Sequence, residues 1–232
     1  MTYTKERAIT GSKALQRKNL RAAQQNLIEA GKYLGECGYH AGLAGNLSVR
    51  LGEDRVLCTR SGAMKGALSV RDLVLCDFAG RVCEGDGAPT SELRMHLMAY
   101  RVRPDVGAVV HAHPPTATAF AAASIALDAI SLPEMVILIG PIALVPYATP
   151  GTDELAQELG KFLPSHDGFL LENHGALAVG KDLRQACQRM DLIEQNARVT
   201  LVVRQLGRPF QLSAKQLEGL EELRARIAAK FR

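Results

Sequence analysis

The stretch Val109-Val110-His111-Ala112-His113-Pro114-Pro115 restricts the fold more tightly than any other part of the chain. Val109 and Val110 close an apolar run of the kind that forms a buried strand. Pro114 lacks an N–H and cannot continue a strand ladder, so the strand ends at this point. In extended chain, residues two apart project from the same face. His111 and His113 therefore stand side by side at a strand end. Two readings of the pair are open. Backbone carbonyls can satisfy each ring, as is usual for histidines at strand ends. Alternatively, the two rings face one ion about 2 Å from each nitrogen, and a third donor comes from elsewhere. Asn173-His174-Gly175 offers that donor, after a second apolar run at Gly168-Phe169-Leu170-Leu171.

Periodicity supplies the elements around these runs. Between Lys13 and Cys37, apolar residues recur at Leu20, Ala23, Leu27, Ala30, Leu34 and Cys37, one stripe of a helix that Gly38 can cap. Asn46 to Leu51 alternates as a half-buried strand does, and Gly52-Glu53-Asp54 turns it into Arg55–Thr59. Ser69-Val70-Arg71-Asp72 reads as a capped turn before a strand at Leu73–Asp77, which Ala79-Gly80 folds onto Arg81-Val82-Cys83. The next helix opens at Thr90-Ser91-Glu92, with Ser91 as its N-cap and Glu92 in its first turn, and ends ahead of Pro104. A small-residue helix follows at Pro115 to Ala123. The stretch Ala129 to Ile142 is apolar with a bend at Leu132-Pro133-Glu134, where a buried glutamate would need a partner. Further on come a strand at Ile142–Val145, a helix capped by Thr152, and strands at Phe169–Leu171 and Ala176–Val179. Asp182 with Gln185 forms a capping box for a long helix to about Gln205, and Ser213 starts a last charged helix.

No linker or repeat breaks this order. Residues 1–12 read as a flexible leader and 13–232 as one α/β domain, the size expected of a single large core. The net charge of +4 is small and dispersed, which argues against a nucleic-acid surface, and no apolar run approaches the roughly 20 residues of a membrane helix. Five cysteines with no C-x-x-C pairing, and no signal peptide, point to free thiols in a reducing cytoplasm.

The loop Thr59-Arg60-Ser61-Gly62-Ala63 combines hydroxyls, backbone N–H groups and a glycine, a composition that suits an anion such as phosphate. In order along the chain stand Gly45-Asn46-Leu47-Ser48-Val49-Arg50, Thr59-x-Ser61-Gly62, Thr90-Ser91-Glu92, His111-Ala112-His113 and His174-Gly175. Together they resemble the class II aldolase/adducin family over roughly residues 14 to 205. The resemblance implies a single α/β domain with a central, mostly antiparallel sheet flanked by helices. It also implies a homotetramer with active sites at subunit interfaces. Carried over by position, His111, His113 and His174 would hold Zn²⁺ (or Mn²⁺ or Co²⁺), with Glu92 as a fourth, displaceable ligand and proton carrier. Asn46, Ser61, Gly62, Thr90 and Ser91 would hold the phosphate of a dihydroxyacetone phosphate moiety. The implied reaction is cleavage of a ketose 1-phosphate to dihydroxyacetone phosphate and an aldehyde, with the cation stabilising the enediolate.

One part of the family pattern is missing. The family's aldolases handle the C4 hydroxyl proton with a tyrosine from the neighbouring subunit, on the segment after the His-x-His helix. Here that segment reads Leu132-Pro133-Glu134-Met135-Val136, and Tyr147 is the last tyrosine of the chain. A less polar pocket suits an aldehyde lacking hydroxyls, as from a 5-deoxyribulose- or 5-methylthioribulose-1-phosphate, over the fuculose-1-phosphate type of substrate that the family also takes. The alternatives are an L-ribulose-5-phosphate 4-epimerase-like reaction and decarboxylation of a 3-oxo-acid phosphate. A non-enzymatic adducin-like module has no use for three histidines and Glu92 converging on one point.

Overall fold

A computed structural model describes residues 2–127, 132–207 and 212–230; the Ala129–Ser131 part of the apolar stretch lies outside them. In chain order the elements are α1 (Thr2–Glu36), β1 (Asn46–Leu51), β2 (Arg55–Thr59), β3 (Leu73–Asp77), β4 (Val82–Glu84), α2 (Leu93–Val102), β5 (Ala108–Ala112) and α3 (Pro115–Ala122). There follow α4 (Pro133–Leu138), β6 (Ile142–Val145), α5 (Asp153–Phe162), β7 (Gly168–Leu171), β8 (Gly175–Gly180), α6 (Leu183–Leu206) and α7 (Ala214–Lys230). The eight strands form one sheet in the order β4-β3-β2-β1-β5-β8-β7-β6. Every neighbouring pair is antiparallel except β6 and β7.

Helices cover both faces of the sheet, so its central strands are apolar throughout rather than alternating. On β5, Ala108, Val110 and Ala112 pack into one layer with α1, α3 and α6, while Val109 packs into the other with α2 and α5. His111 points the way Val109 does, by the two-residue period of the strand. On β1, Leu47 and Val49 belong to the α1 layer, which leaves Asn46 and Ser48 on the α2 side. Asn46 lies opposite His111, and His111 opposite Leu177 of β8. The strand ends at the centre of the sheet thus deliver Asn46, His111 and the turn carrying His174 to one place.

The expected stripe of α1 is the buried one: Ala23, Leu27, Ala30 and Leu34 face the core, and Gly38 adopts φ +75° after the helix. Thr152 and Asp182 cap α5 and α6 through the Leu155 and Gln185 amides. The Gln185 side chain completes only half of the expected box, since it accepts from Lys181 N rather than from Asp182 N. Ser91 is not an N-cap. Thr90 to Glu92 form a turn closed by Leu93 N–H donating to Thr90 O at 3.1 Å, and α2 begins at Leu93. Glu134 lies exposed in the first turn of α4 and has no burial cost to offset. The five cysteines are free, and no helix among the described residues is long and apolar enough to cross a membrane.

Candidate active site

His111, His113 and His174 converge, with one ring nitrogen of each lying within 4.8 Å of the others. His111 Nε2 is 3.1 Å from His113 Nε2 and 3.3 Å from Glu92 Oε2; His174 Nε2 is 3.2 Å from Glu92 Oε1. A tetrahedral ion with ligands at roughly 2.0 Å separates them by about 3.3 Å. The observed spacings match that edge. The backbone reading of His111 holds: Nδ1–H donates to the Ala176 carbonyl at 2.9 Å, which fixes the tautomer and leaves the Nε2 lone pair facing the cluster, where it could also meet an ion. Burial, then the neighbouring imidazoles, holds His111 well below the ordinary histidine value; burial first and His174 second bring His113 down to about 4. Burial also lowers His174, against the opposing charge of Glu92. At neutral pH all three rings are therefore uncharged donors. Glu92 Oε1 and His174 Nδ1 are both buried without a hydrogen-bond partner. The three nitrogens and one carboxylate are a donor set suited to a divalent ion that retains an open position.

Glu92 is steadied from the opposite side. Asn46 Nδ2 donates to Glu92 Oε2 at 2.7 Å. Asn46 Oδ1 lies 2.5 Å from His96 Nε2, His96 Nδ1 lies 2.7 Å from Ser48 Oγ, and Ser48 Oγ lies 2.7 Å from the Tyr100 hydroxyl. His96, four residues after Glu92 and so a possible second ligand beside it, bonds to Asn46 instead and does not join the histidine cluster.

The residues expected at a phosphate lie on adjoining loops. Ser61 N–H donates to Ala88 O and Thr90 N–H to Thr59 O, which zips the loop after β2 to the one before α2. Thr59 Oγ1 accepts from Leu47 N at 3.3 Å and joins both to the start of β1. Ser61, Gly62 and Ser91 are exposed, Thr90 is buried, and Gly62 takes φ +73°. Asn46 already uses Oδ1 and one N–H, so only its second N–H remains free for an incoming group.

Two neighbours escaped the sequence reading. Lys65, 4 % exposed, donates to the Leu43 carbonyl at 2.6 Å, and among the described residues no carboxylate lies within ion-pair distance of it. Burial lowers the Lys65 ammonium against the opposing charge of Glu92, and Lys65 in turn adds to the lowering of His40. Both nitrogens of His40 are buried without a partner, and burial brings this ring down to about 4. Neither position follows a hydrophobic period or stands in a recognisable motif; only a lysine so close after Ser61-Gly62 hinted at an anion.

A family model described as the class II aldolase and adducin N-terminal domain matches residues 25–201. The chain belongs to this family. Among curated relatives of this class II aldolase-family chain are the 3-oxo-tetronate 4-phosphate decarboxylase of Haemophilus influenzae and the L-fuculose phosphate aldolase of Methanococcus maripaludis strain C7. The first is 34% identical over 77% of this chain and 86% of its own length. The second is 34% identical over 78% and 97%. Among solved structures, an L-fuculose 1-phosphate aldolase superposes with a TM-score of 0.81 at 33% identity, covering 87% of this chain and 95% of its own. YgbL from Escherichia coli gives 0.81 at 28% identity, covering 86% and 98%.

Proposed function

We propose that the protein is a metal-dependent carbon–carbon lyase that cleaves a ketose 1-phosphate to dihydroxyacetone phosphate and an aldehyde. The observation that carries this reading is the set of three uncharged imidazoles with Glu92, at the spacing of one coordination shell, beside loops rich in free donors. Zn²⁺, or Mn²⁺ or Co²⁺, held by His111, His113, His174 and Glu92, supplies a Lewis acid that draws charge from substrate oxygens, worth several kcal/mol. The chain's own groups do the rest. Ser61, Gly62, Thr90 and Ser91 receive the phosphate, with the second N–H of Asn46. None of these is a cation, and Lys65, anchored between the loops at Leu43 and Ser61-Gly62, brings the missing positive charge. Glu92, once freed by substrate, takes up a proton from solvent and delivers it to C3 of the three-carbon fragment after C3–C4 opens, while the C4 hydroxyl proton is lost to solvent. A site at the junction of four identical subunits completes the pocket in this reading.

A second reading rests on a specific observation. Aldol cleavage must remove the C4 hydroxyl proton, and the Leu132–Val136 segment provides no tyrosine for it. Loss of carbon dioxide from a 3-oxo-acid phosphate leaves the same electron pair to be stabilised and needs no hydroxyl base. The decarboxylase named among the relatives supports it equally. Zinc-loaded protein incubated with ketose 1-phosphates and with a 3-oxo-acid 4-phosphate distinguishes the two. Dihydroxyacetone phosphate that disappears with chelator supports the aldolase; carbon dioxide supports the decarboxylase. Turnover indifferent to chelator would refute both. Lys65→Met should raise KM for the phosphorylated substrate by about tenfold or more with kcat nearly held, the pattern of lost ground-state binding.

A further inference from the structure

The hydrogen bonds behind Glu92 run in one direction only. Asn46 and Ser48 are two apart on β1, and His96 and Tyr100 are four apart on α2, so the four side chains interleave across the strand–helix contact. Asn46 Oδ1 can only accept, so the proton on His96 must sit at Nε2. A neutral ring then has a bare Nδ1, which accepts from the Ser48 hydroxyl. That uses the only Ser48 proton, so Tyr100 O–H donates to Ser48 Oγ. His96 is fully buried, and burial brings it down to about 3, so it is neutral throughout the working range. Every group donates toward Glu92, and the chain ends on Oε2.

We infer that His96 is a positioning residue for Glu92: by donating from Nε2 to Asn46 Oδ1, it locks the Asn46 carboxamide with its NH₂ toward the carboxylate. Without that donor the amide is free to turn its carbonyl oxygen toward Glu92, which replaces an attraction by a repulsion between two acceptors. His96 touches neither the cluster nor the phosphate loops. Its effect passes through Asn46, and Ser48 with Tyr100 fix which ring nitrogen carries the proton.

The inference takes the Glu92 assignment from the proposed function, but its test needs no turnover. In ¹⁵N-histidine-labelled metal-free protein at pH 7, the His96 ring should be neutral and protonated at Nε2. An Nδ1-protonated ring or an imidazolium would overturn the inference, and this measurement on unaltered protein stands whether or not variants fold. Co²⁺ titration then tests the route. Because partners of a metal ligand typically carry 10–100-fold in affinity, His96→Leu should weaken Co²⁺ binding by about tenfold or more. His96→Gln, which keeps an N–H for Asn46 and an oxygen for Ser48, should restore it to within about threefold, and His96→Leu in an Asn46→Ala background should add less than about twofold. Additive losses, or a Gln variant as weak as Leu, would refute the role. If the cycle holds while no phosphorylated substrate is cleaved, the proposed reaction fails alone; cleavage with additive losses sinks only the positioning role.

Discussion

Gly175 borders the cluster so closely that a single added methyl group tests it. A Cβ at this position would lie 2.6 Å from His113 Cδ2 and 2.8 Å from the Ala112 carbonyl oxygen. The backbone oxygen belongs to β5 and also lies inside the contact distance of a methyl group, so the β5–β8 pairing and the imidazole must both shift. This is why the second apolar run closes on His-Gly, a pairing visible in the sequence though its cause was not. Gly175→Ala should lower the urea midpoint of the metal-free protein and lower Zn²⁺ affinity by about tenfold or more, by analogy with disturbed ligand orientation. Competition against a chromophoric chelator measures it, and unchanged affinity would mean that His113 finds an equal position. Glu92→Gln separates the two duties of that residue. The three histidines retain the ion, while an amide carries no exchangeable carboxylic proton, so zinc content should stay and kcat fall at least about a hundredfold. A variant that turns over normally would remove Glu92 from the chemistry. The histidine cluster was legible because histidines recur at strand ends, and Glu92 only through the family resemblance, since it lies in the turn before α2; Ser48, His96 and Tyr100 were not, because polar groups that satisfy one another inside a core leave no periodic signature.

Among the elements, α3 depends on a partner far away in sequence. Its N-cap position is Pro114, which offers no side-chain acceptor. The amides of Thr116 and Ala117 instead donate to the Glu194 carboxylate of α6 at 3.2 and 2.8 Å, and Arg198 steadies that carboxylate at 2.7 Å. Glu194 is only 1 % exposed. Sequence pattern places both helices correctly, since the Pro-Pro start and the Asp182 cap are local signals, but a cap supplied across the fold is not local. The reverse error occurs at α2, where Thr90-Ser91-Glu92 has the chemistry of a cap and serves as a loop that turns Glu92 toward the histidines. Because α3 follows directly from His113, Glu194 also fixes the backbone on the exit side of that ligand. Glu194→Ala orphans two buried amides and should cost about 2–4 kcal/mol. Urea denaturation of metal-free protein gives the loss directly; a midpoint within error of the parent would show that water replaces the carboxylate without cost.

For the molecule as a whole, the buried imidazoles tie stability to pH with a defined sign. His96 falls to about 3, His40 and His113 to about 4, and His111 well below its ordinary value, each mainly through burial. In the unfolded chain these rings titrate near 6.5. Below that pH the unfolded chain binds protons that the folded chain refuses, so stability is full above about 6.5 and declines as pH falls toward the folded values. His96 alone, with no accessible surface, contributes about 2 kcal/mol of loss between pH 6.5 and 5, a sizeable share of the roughly 5–15 kcal/mol that holds a domain together. A bound ion competes with protons for the triad and shifts its part of the folded-state titration lower still, so it raises stability without removing this acid-side decline. Urea midpoints of chelator-treated protein should therefore drop steeply from pH 7 to 5, and zinc-loaded protein should start from a higher midpoint and drop by at least as much. His96→Gln should flatten the metal-free curve by one proton's worth, because that ring's refusal to protonate is then gone. A metal-free midpoint that holds constant across this range would mean the four rings take up protons in the folded protein as they do in the unfolded one, and the His111 and His113 imidazolium ions could not then stand 3.1 Å apart.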